Sequence, residues 1–462
     1  VPREVCEEFA RHARAGVRRA ASFGLAFALV LHVRAQDPAP AQPTAFVGAR
    51  ILTVSGPPIE RGVLLVQGGR IAAIGEAASI ELPTGTLVRD LGGLWLIPGL
   101  VCTHSHIGSA AGADASTPLQ PEVRVLDAID VRAASVHRAR AGGITTVNVM
   151  PGSGHLLSGQ TAYLKLRRGD GIDDLVIRDE QGVPCGGVKM ANGTNSLGAA
   201  PFTGTRAKSA ALVRERFLAA REHQAKLARA AEKAAQATGE AELPPARDLG
   251  LEVLIELLEG RRIVHHHTHR HDDILTALRL RDEFGLRMVL HHVSDAWQVP
   301  DEIARSGAPC SLILLDAPGG KLEARDIRWE NAAALERAGV PVALHTDDWI
   351  TDSRLFLRSA QLAVRGGMSR EKALEALTLA GARMLDLESR VGSLEVGKDA
   401  DFAILSGDPL STYTHVLETW VEGARVFDRA DPADRLIALG GFGAGEAHDG
   451  HSCCGPHEDG DS

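Results

Sequence analysis

Residues 97–106 read IPGLVCTHSH, and the fold turns on how they are parsed. An apolar run breaks at Pro98-Gly99, resumes as LVCT, and ends on His104 and His106, one residue apart. Side chains at i and i+2 of a strand point the same way, so a strand ending here presents two imidazoles to one point. Two convergent imidazoles are half of a zinc site, which takes three or four N, O or S ligands.

Working outward, apolar strand-like runs recur with helical stretches between them. They are LWLIPGLVCTHSH (94–106), ITTVNVM (144–150), TAYLKL (161–166), GGVKMAN (186–192), RIVHHHTH (262–269), RMVLHHV (287–293), APCSLILLD (308–316) and PVALHTDD (341–348). Eight such runs alternating with helices predict an α/β fold, a (β/α)8 TIM barrel over residues 94–385. Barrels of this kind carry their chemistry at the C-terminal strand ends, where these runs place His and Asp. An Ala-, Arg- and Glu-rich insertion over about 206–259 reads as a helical excursion broken at ELPPARD.

Short, Gly-punctuated β-rich segments flank this middle, at 45–93 and again at 386–430. They predict one small β-sandwich built from both chain ends. Residues 1–44 read as a secretory leader and Pro/Ala linker: an Arg-rich segment, an apolar core over about 20–33, and VRA before Gln36. That core is too short to span a bilayer, so the mature chain is expected to be exported without stable membrane insertion. Residues 431–462 read as a flexible tail whose His, Cys and acidic residues form a solvated terminus.

The chain has 462 residues, 44% hydrophobic and 24% charged, which excludes fibrous and disordered classes. Its net charge of −9, with no basic stretch interleaved with aromatics, argues against a nucleic-acid partner. Six scattered cysteines form neither a disulfide framework nor a zinc ribbon. Histidines are the stronger signal, because His265, His266, His267, His269 and His271 crowd one run's end, His291 and His292 the next, and His345, Asp347 and Asp348 the last. A core that buries so many titratable groups without partners would lose several kcal/mol, roughly, so something must pair them.

On IPGLVCTHSH, HTHR, LHHVSD, LHTDD and VGSLEVGKDADFAILSGDPL the chain resembles the metal-dependent amidohydrolase superfamily, in its imidazolonepropionase-like exported bacterial branch. The likeness covers nearly all of residues 45–430. It implies a hydrolase cleaving a C–N bond of a small-molecule amide, peptide or cyclic amide, with dipeptidase and deaminase chemistries as relatives and a homo-dimer compatible with it. A non-catalytic metal-binding protein is the competing class, disfavoured by an aspartate placed to shuttle protons. The implied metal ligands are His104, His106, His267 and His292, with Asp347 as ligand and proton shuttle and His269 facing substrate. His265, His266 and His291 would be flanking residues, Asp348 a supporting group or helix cap, and Asn148 and Gln160 pocket-lining.

The same resemblance implies one or two zinc ions. Two-metal members bridge their ions through a carboxylated lysine at the fourth strand, a place Lys189 fits and Lys165 rivals; single-metal members lack it. Cys102, where the family commonly has Asp, and NGTN (192–195), where an acid is frequent, depart from the pattern and bear on substrate preference.

Overall fold

The computed structural model of the chain describes residues 42–110, 112–236, 244–314, 321–348, 350–441 and 444. The leader read over the first residues and the His/Cys-rich end lie outside them. Among the described residues, five strands open the chain: β1 (Thr44–Ile51), β2 (Ile59–Gln67), β3 (Arg70–Glu76), β4 (Leu87–Asp90) and β5 (Trp95–Pro98). Then come β6 (Leu100–Ser105), β7 (Ile144–Val149), β8 (Leu157–Gln160), β9 (Ala162–Lys165), β10 (Val188–Ala191), β11 (Val264–Thr268), β12 (Met288–His292), β13 (Cys310–Leu312) and β14 (Val342–Leu344). Three more, β15 (Phe402–Leu405), β16 (Val416–Val421) and β17 (Ala424–Asp428), complete the set.

Both chain ends do build one β-rich body, but their strands hydrogen-bond as a single eight-stranded sheet, in the order β17-β16-β15-β5-β1-β2-β3 with β4 on β1. The seam is the antiparallel pairing of β5 with β15. Phe46, Phe402 and Trp420 pack across it, Phe46 edge-on to Phe402 at 4.9 Å between ring centres and Phe402 stacked on Trp420 at 5.5 Å. Aromatic packing of this kind ties the two ends more strongly than area alone.

The break at Pro98-Gly99 is where the chain leaves this sheet. β5 pairs with β15, while β6 turns to pair in parallel with β7. A Cβ on Gly99 would lie 2.2 Å from Thr145 Oγ1, so only glycine lets the two backbones pass.

Between Gly99 and the returning strand β15, the chain forms a TIM-barrel-like α/β fold in two open arcs. One is β14-β13-β12-β11-β10-β8 and the other β6-β7-β9. The β10 to β14 run is parallel throughout, as is β6 with β7. The run TAYLKL departs from the expected eight parallel strands: β9 is antiparallel to β7, and β8 just before it is antiparallel to β10. The stretch 157–165 therefore spans from one arc to the other, with Thr161 N donating to Gly187 O at 3.0 Å. At the far edges the arcs meet where the Asp347 amide donates to the His104 carbonyl, 3.0 Å.

The insertion is helical as expected, over Arg206–Gln236 and Leu249–Leu258. Its long helix buries one stripe, Ser209, Val213, Phe217, Ala220 and His223, spaced at the helical repeat. Phe217 stacks on Phe284 of the helix after β11, 4.9 Å between centres. The start of the expected tail is instead a helix, Pro432–Leu439, because Asp431 caps it and Arg354 binds its last carbonyls. No helix of the described residues is long and apolar enough to cross a membrane.

Candidate metal centre

Parallel register brings the histidine-bearing strand ends level. Ala191 lies opposite His267, His267 opposite His291, and Thr268 opposite His292. These strands, VHHHT and MVLHH, are buried at every residue, and alternation sends every second side chain to the same side. Two of the rim residues leave their strands in the left-handed region, His292 at φ +69° and Asp347 at φ +48°. For non-glycine residues this costs about 1–3 kcal/mol each and persists only where neighbours impose it. Here the neighbours are the Asp347 amide on His104 O and the Val293 amide on Thr268 O, both within 3.0 Å.

The result is a tight cluster. Asp347 Oδ1 lies 3.0 Å from His106 Nε2 and 3.2 Å from His104 Nε2, and Oδ2 lies 3.9 Å from His292 Nδ1. Lys189 Nζ is 3.1 Å from His104 Nε2. His267 stands one ring further, 4.3 Å from His292 and 4.7 Å from His269 between ring centres. His292 thus joins two groups of donors: His104, His106 and Asp347 on one side, His267 and His269 on the other.

The chemistry of these donors fits a metal ion. His106 Nδ1 meets the Met150 carbonyl at 2.8 Å, an arrangement that puts the ring proton there and leaves a lone pair on Nε2. A lone pair 3.0 Å from a carboxylate oxygen is repulsive unless a cation or proton lies between. For His104 the proton is unfavourable, because burial, then the Lys189 charge, holds that imidazole well below the usual range. Both nitrogens of His267 and Nε2 of His292 are also buried without a hydrogen-bond partner, although such atoms are normally satisfied. Burial against other histidines keeps His267 and His292 neutral, the form in which imidazole ligates. Burial opposes ionisation of Asp347, yet His106, His345 and Lys189 outweigh it and hold the carboxyl well below the carboxylate range.

Of the two lysines weighed from sequence, the structure brings only Lys189 to the cluster. Burial pushes its amine down to about 7. Lys165 sits near the start of β7 and bonds Asp401 at 2.6 Å and Asp399 at 2.8 Å, so it is excluded as a bridge by its own partners. His269 Nδ1 meets Ser294 Oγ at 2.8 Å and its Nε2 is buried and unpartnered; one ring nitrogen of His269 lies within 4.8 Å of a ligand atom of His267 and of Glu323. Asn148 donates to Thr103 O and Gln160 to the carbonyls of Pro121 and Glu122, so neither amide is aimed at the cluster. Asp348 supports its own loop, accepting from Ser353 Oγ at 2.5 Å. Cys102 lies beneath the rim on Thr346 and the His104 carbonyl.

Tyr163 and Glu323 escaped the sequence reading, which noted His345 at its strand end but gave it no role. His345 stacks on His104 at 4.9 Å and is oriented by Ser311 on Nδ1, 2.7 Å, leaving Nε2 3.2 Å from His292. Tyr163 holds His265 at 3.0 Å, which in turn meets His291 at 3.0 Å, so those flanking histidines bond each other; Nδ1 of His291 stays buried and unpartnered, and His291 offers a ligand atom within 4.8 Å of one from His104 and one from His345. Glu323 reaches the His267 side from a loop. The position of His345 two before Asp347 was a usable signal; for Tyr163 and Glu323 no motif existed.

Fold and rim together define the class, a TIM-barrel-like scaffold with a metal-ligand cluster at its strand ends. Comparison with known proteins agrees. The amidohydrolase family matches over residues 187–427, just over half of the chain. The crystal structure of an amidohydrolase from Thermotoga maritima MSB8 superposes with a TM-score of 0.77 at 32% identity, covering 84% of this chain and 100% of that one. Amidohydrolase tasK of Hapsidospora irregularis is 26% identical over 392 residues, 79% of this chain, which spans 40% of the tasK length. Imidazolonepropionase of Pseudomonas paraeruginosa is 27% identical over 373 residues, 74% of this chain and 87% of that protein. The chain belongs to the amidohydrolase family, hydrolases that act on carbon–nitrogen bonds.

Proposed function

We propose that the chain hydrolyses a C–N bond in a small amide, peptide or cyclic amide, using zinc at the rim and Asp347 as proton shuttle. The observation that carries this reading is the Asp347 carboxylate, ionised and 3.0–3.2 Å from the His104 and His106 nitrogens. When bound, zinc would supply an activated water near neutral pH and a Lewis acid for the scissile carbonyl. His104, His106, His292 and Asp347 would hold it, and His267 and a carboxylated Lys189 would serve a second ion. Asp347 accepts the proton of the attacking water and returns it to the departing nitrogen, acting as base and then acid in one cycle. His345, locked by Ser311, keeps the neighbouring rings in place. In this reading the two arcs are halves of one (β/α)8 barrel and the eight-stranded sheet wraps as a sandwich over its side. The likeness to imidazolonepropionase makes a cyclic amide the first substrate class to try.

Stripping the chain with a chelator is expected to abolish hydrolysis across a screen of cyclic amides and dipeptides, and zinc to restore it. Retention of full activity in the stripped chain would end the reading. A neutral lysine is needed to capture carbon dioxide, and lysine is neutral above its pKa; reactivation by zinc should therefore require bicarbonate and quicken as pH rises through about 7. Lys189→Ala should bind one zinc fewer than the parent chain and lose the bicarbonate dependence. Equal zinc content in the two would retire Lys189 as a bridge.

A further inference from the structure

Tyr163, His265 and His291 form a file of hydrogen bonds through the interior to which the proposed hydrolysis gives no task. The Tyr163 hydroxyl lies 3.0 Å from His265 Nε2, and His265 Nδ1 lies 3.0 Å from His291 Nε2. All three side chains are buried. The interior of a barrel of this kind is normally filled by layers of branched apolar side chains, and a polar group there is costly unless bonded. Room is kept for the file: a Cβ on Gly187 would lie 2.5 Å from His265 Cδ2.

The direction of the file follows from counting protons. Tyr163 packs among Val101, Ile177, Leu385 and Val391, and among the described residues its hydroxyl has no hydrogen-bond partner but His265. Burial keeps the phenol protonated. A buried O–H left without an acceptor costs about 1–3 kcal/mol, so the hydroxyl donates to His265 Nε2. Burial also keeps His265 and His291 neutral, each with one N–H and one lone pair. His265 therefore carries its proton on Nδ1 and donates to His291 Nε2, and His291 carries its own on Nδ1, the nitrogen without a partner.

That proton matters because His104 stands in two triplets of donors. One is His104, His106 and Asp347; the other is His104, His291 and His345, three imidazoles with ligand atoms within 4.8 Å of one another. Three histidines are a complete protein ligand set for zinc, so distance alone does not steer an ion to the Asp347 side. Hydrogen bonds do. His345 has Nδ1 on Ser311 and Nε2 on His292, and the file puts an N–H on His291 where a ligand needs a lone pair. We infer that Tyr163 is a positioning residue: through His265 it holds the His291 proton on Nδ1, closes the three-histidine triplet to metal, and leaves His104 to the ion that Asp347 serves. The effect on turnover rests on the proposed hydrolysis; the position of the proton does not.

The test is zinc titration of the stripped full-length chain grown with ¹⁵N-histidine, the His291 signals being identified by their loss in His291→Gln. In the parent, His291 Nδ1 is expected to show a bound proton before and after zinc. In Tyr163→Phe that preference is expected to vanish, and zinc to displace the proton and move the Nδ1 signal. At equal zinc content Tyr163→Phe should lose about 10- to 100-fold in kcat, the usual effect of removing an outer partner of a metal site, and adding His291→Gln should recover part of it by removing the competing ligand. A bare Nδ1 in the parent, an Nδ1 that keeps its proton through the titration of Tyr163→Phe, or an undiminished kcat in that variant would overturn the inference. Should Tyr163→Phe fail to fold, by melting and circular dichroism, His265→Leu breaks the same file and is read in its place. A parent chain that hydrolyses no C–N bond would sink the proposed function, and the nitrogen signals would still decide this assignment.

Discussion

Asp347→Asn is expected to lower kcat by about 10²- to 10⁴-fold, the usual worth of a positioned acid–base group, while removing far less of the bound metal. Asparagine is the informative replacement for two reasons. It keeps the side-chain volume, and it tolerates the left-handed backbone that this position occupies, φ +48°, where most residues would add strain. The lost quantity is then charge and proton affinity. His104 and His106 retain their nitrogens, and the Asp347 amide can still donate to His104 O. The pH profile gives a second check. A carboxyl held well below its ordinary range stays ionised as pH falls through the range where free carboxylates protonate, so its loss should not limit the parent enzyme between pH 5 and 7. A parent profile that falls with an ordinary carboxylate pKa, or an Asn variant with undiminished kcat, would remove Asp347 from its assigned role.

Lys165→Met should destabilise the fold by about 3–5 kcal/mol, the penalty for stranding buried charge, without touching metal content. Lys165 Nζ lies 2.6 Å from Asp401, 2.8 Å from Asp399 and 3.7 Å from Glu422, and the lysine and both aspartates are almost wholly buried. Arg390 adds a further contact to Asp399 at 3.0 Å, and Arg167 pairs Glu422. Replacing only the lysine leaves two carboxylates facing each other in a dry interior, whereas Lys165→Met with Asp399→Asn and Asp401→Asn removes the imbalance and should recover part of the loss. Urea unfolding midpoints of the three chains, with zinc counted on each, check the claim. A Lys165→Met chain as stable as the parent would mean the cluster is not the clamp its distances describe. These contacts also account for the VGKDADF stretch (396–402), whose two aspartates hold the lysine. They bind the returning sheet to a strand of the barrel-like arc.

Much of this was legible in the sequence because local rules sufficed. The His-x-His pair could be placed on one side of a strand from alternation alone, and the structure sets the two rings 5.2 Å apart. Apolar runs interrupted by helices announced an α/β fold. Strand direction, however, is not written in periodicity, so TAYLKL looked like its neighbours although it runs antiparallel to β7. Lys165 stayed a rival to the preferred Lys189 for a similar reason: each sits in a short apolar run, and what separates them is a partner some 236 residues away for one and 85 for the other. Glu323 was invisible because its role depends on a loop closing over residues 193–194. His265 and His291, read as flanking, are bound to Tyr163 and to each other, a pairing that only the parallel register reveals.

The seam between β5 and β15 has a consequence for how the protein is made. Trp95–Pro98 leaves the ribosome about 300 residues before Phe402–Leu405, the strand that pairs with it on that side. At typical elongation rates this is a wait of about 15–60 s, during which an apolar ribbon edge stays open to any passing strand. A nascent chain halted anywhere in that interval would be a candidate for aggregation, and chaperone occupancy should peak there and fall once the last strands emerge.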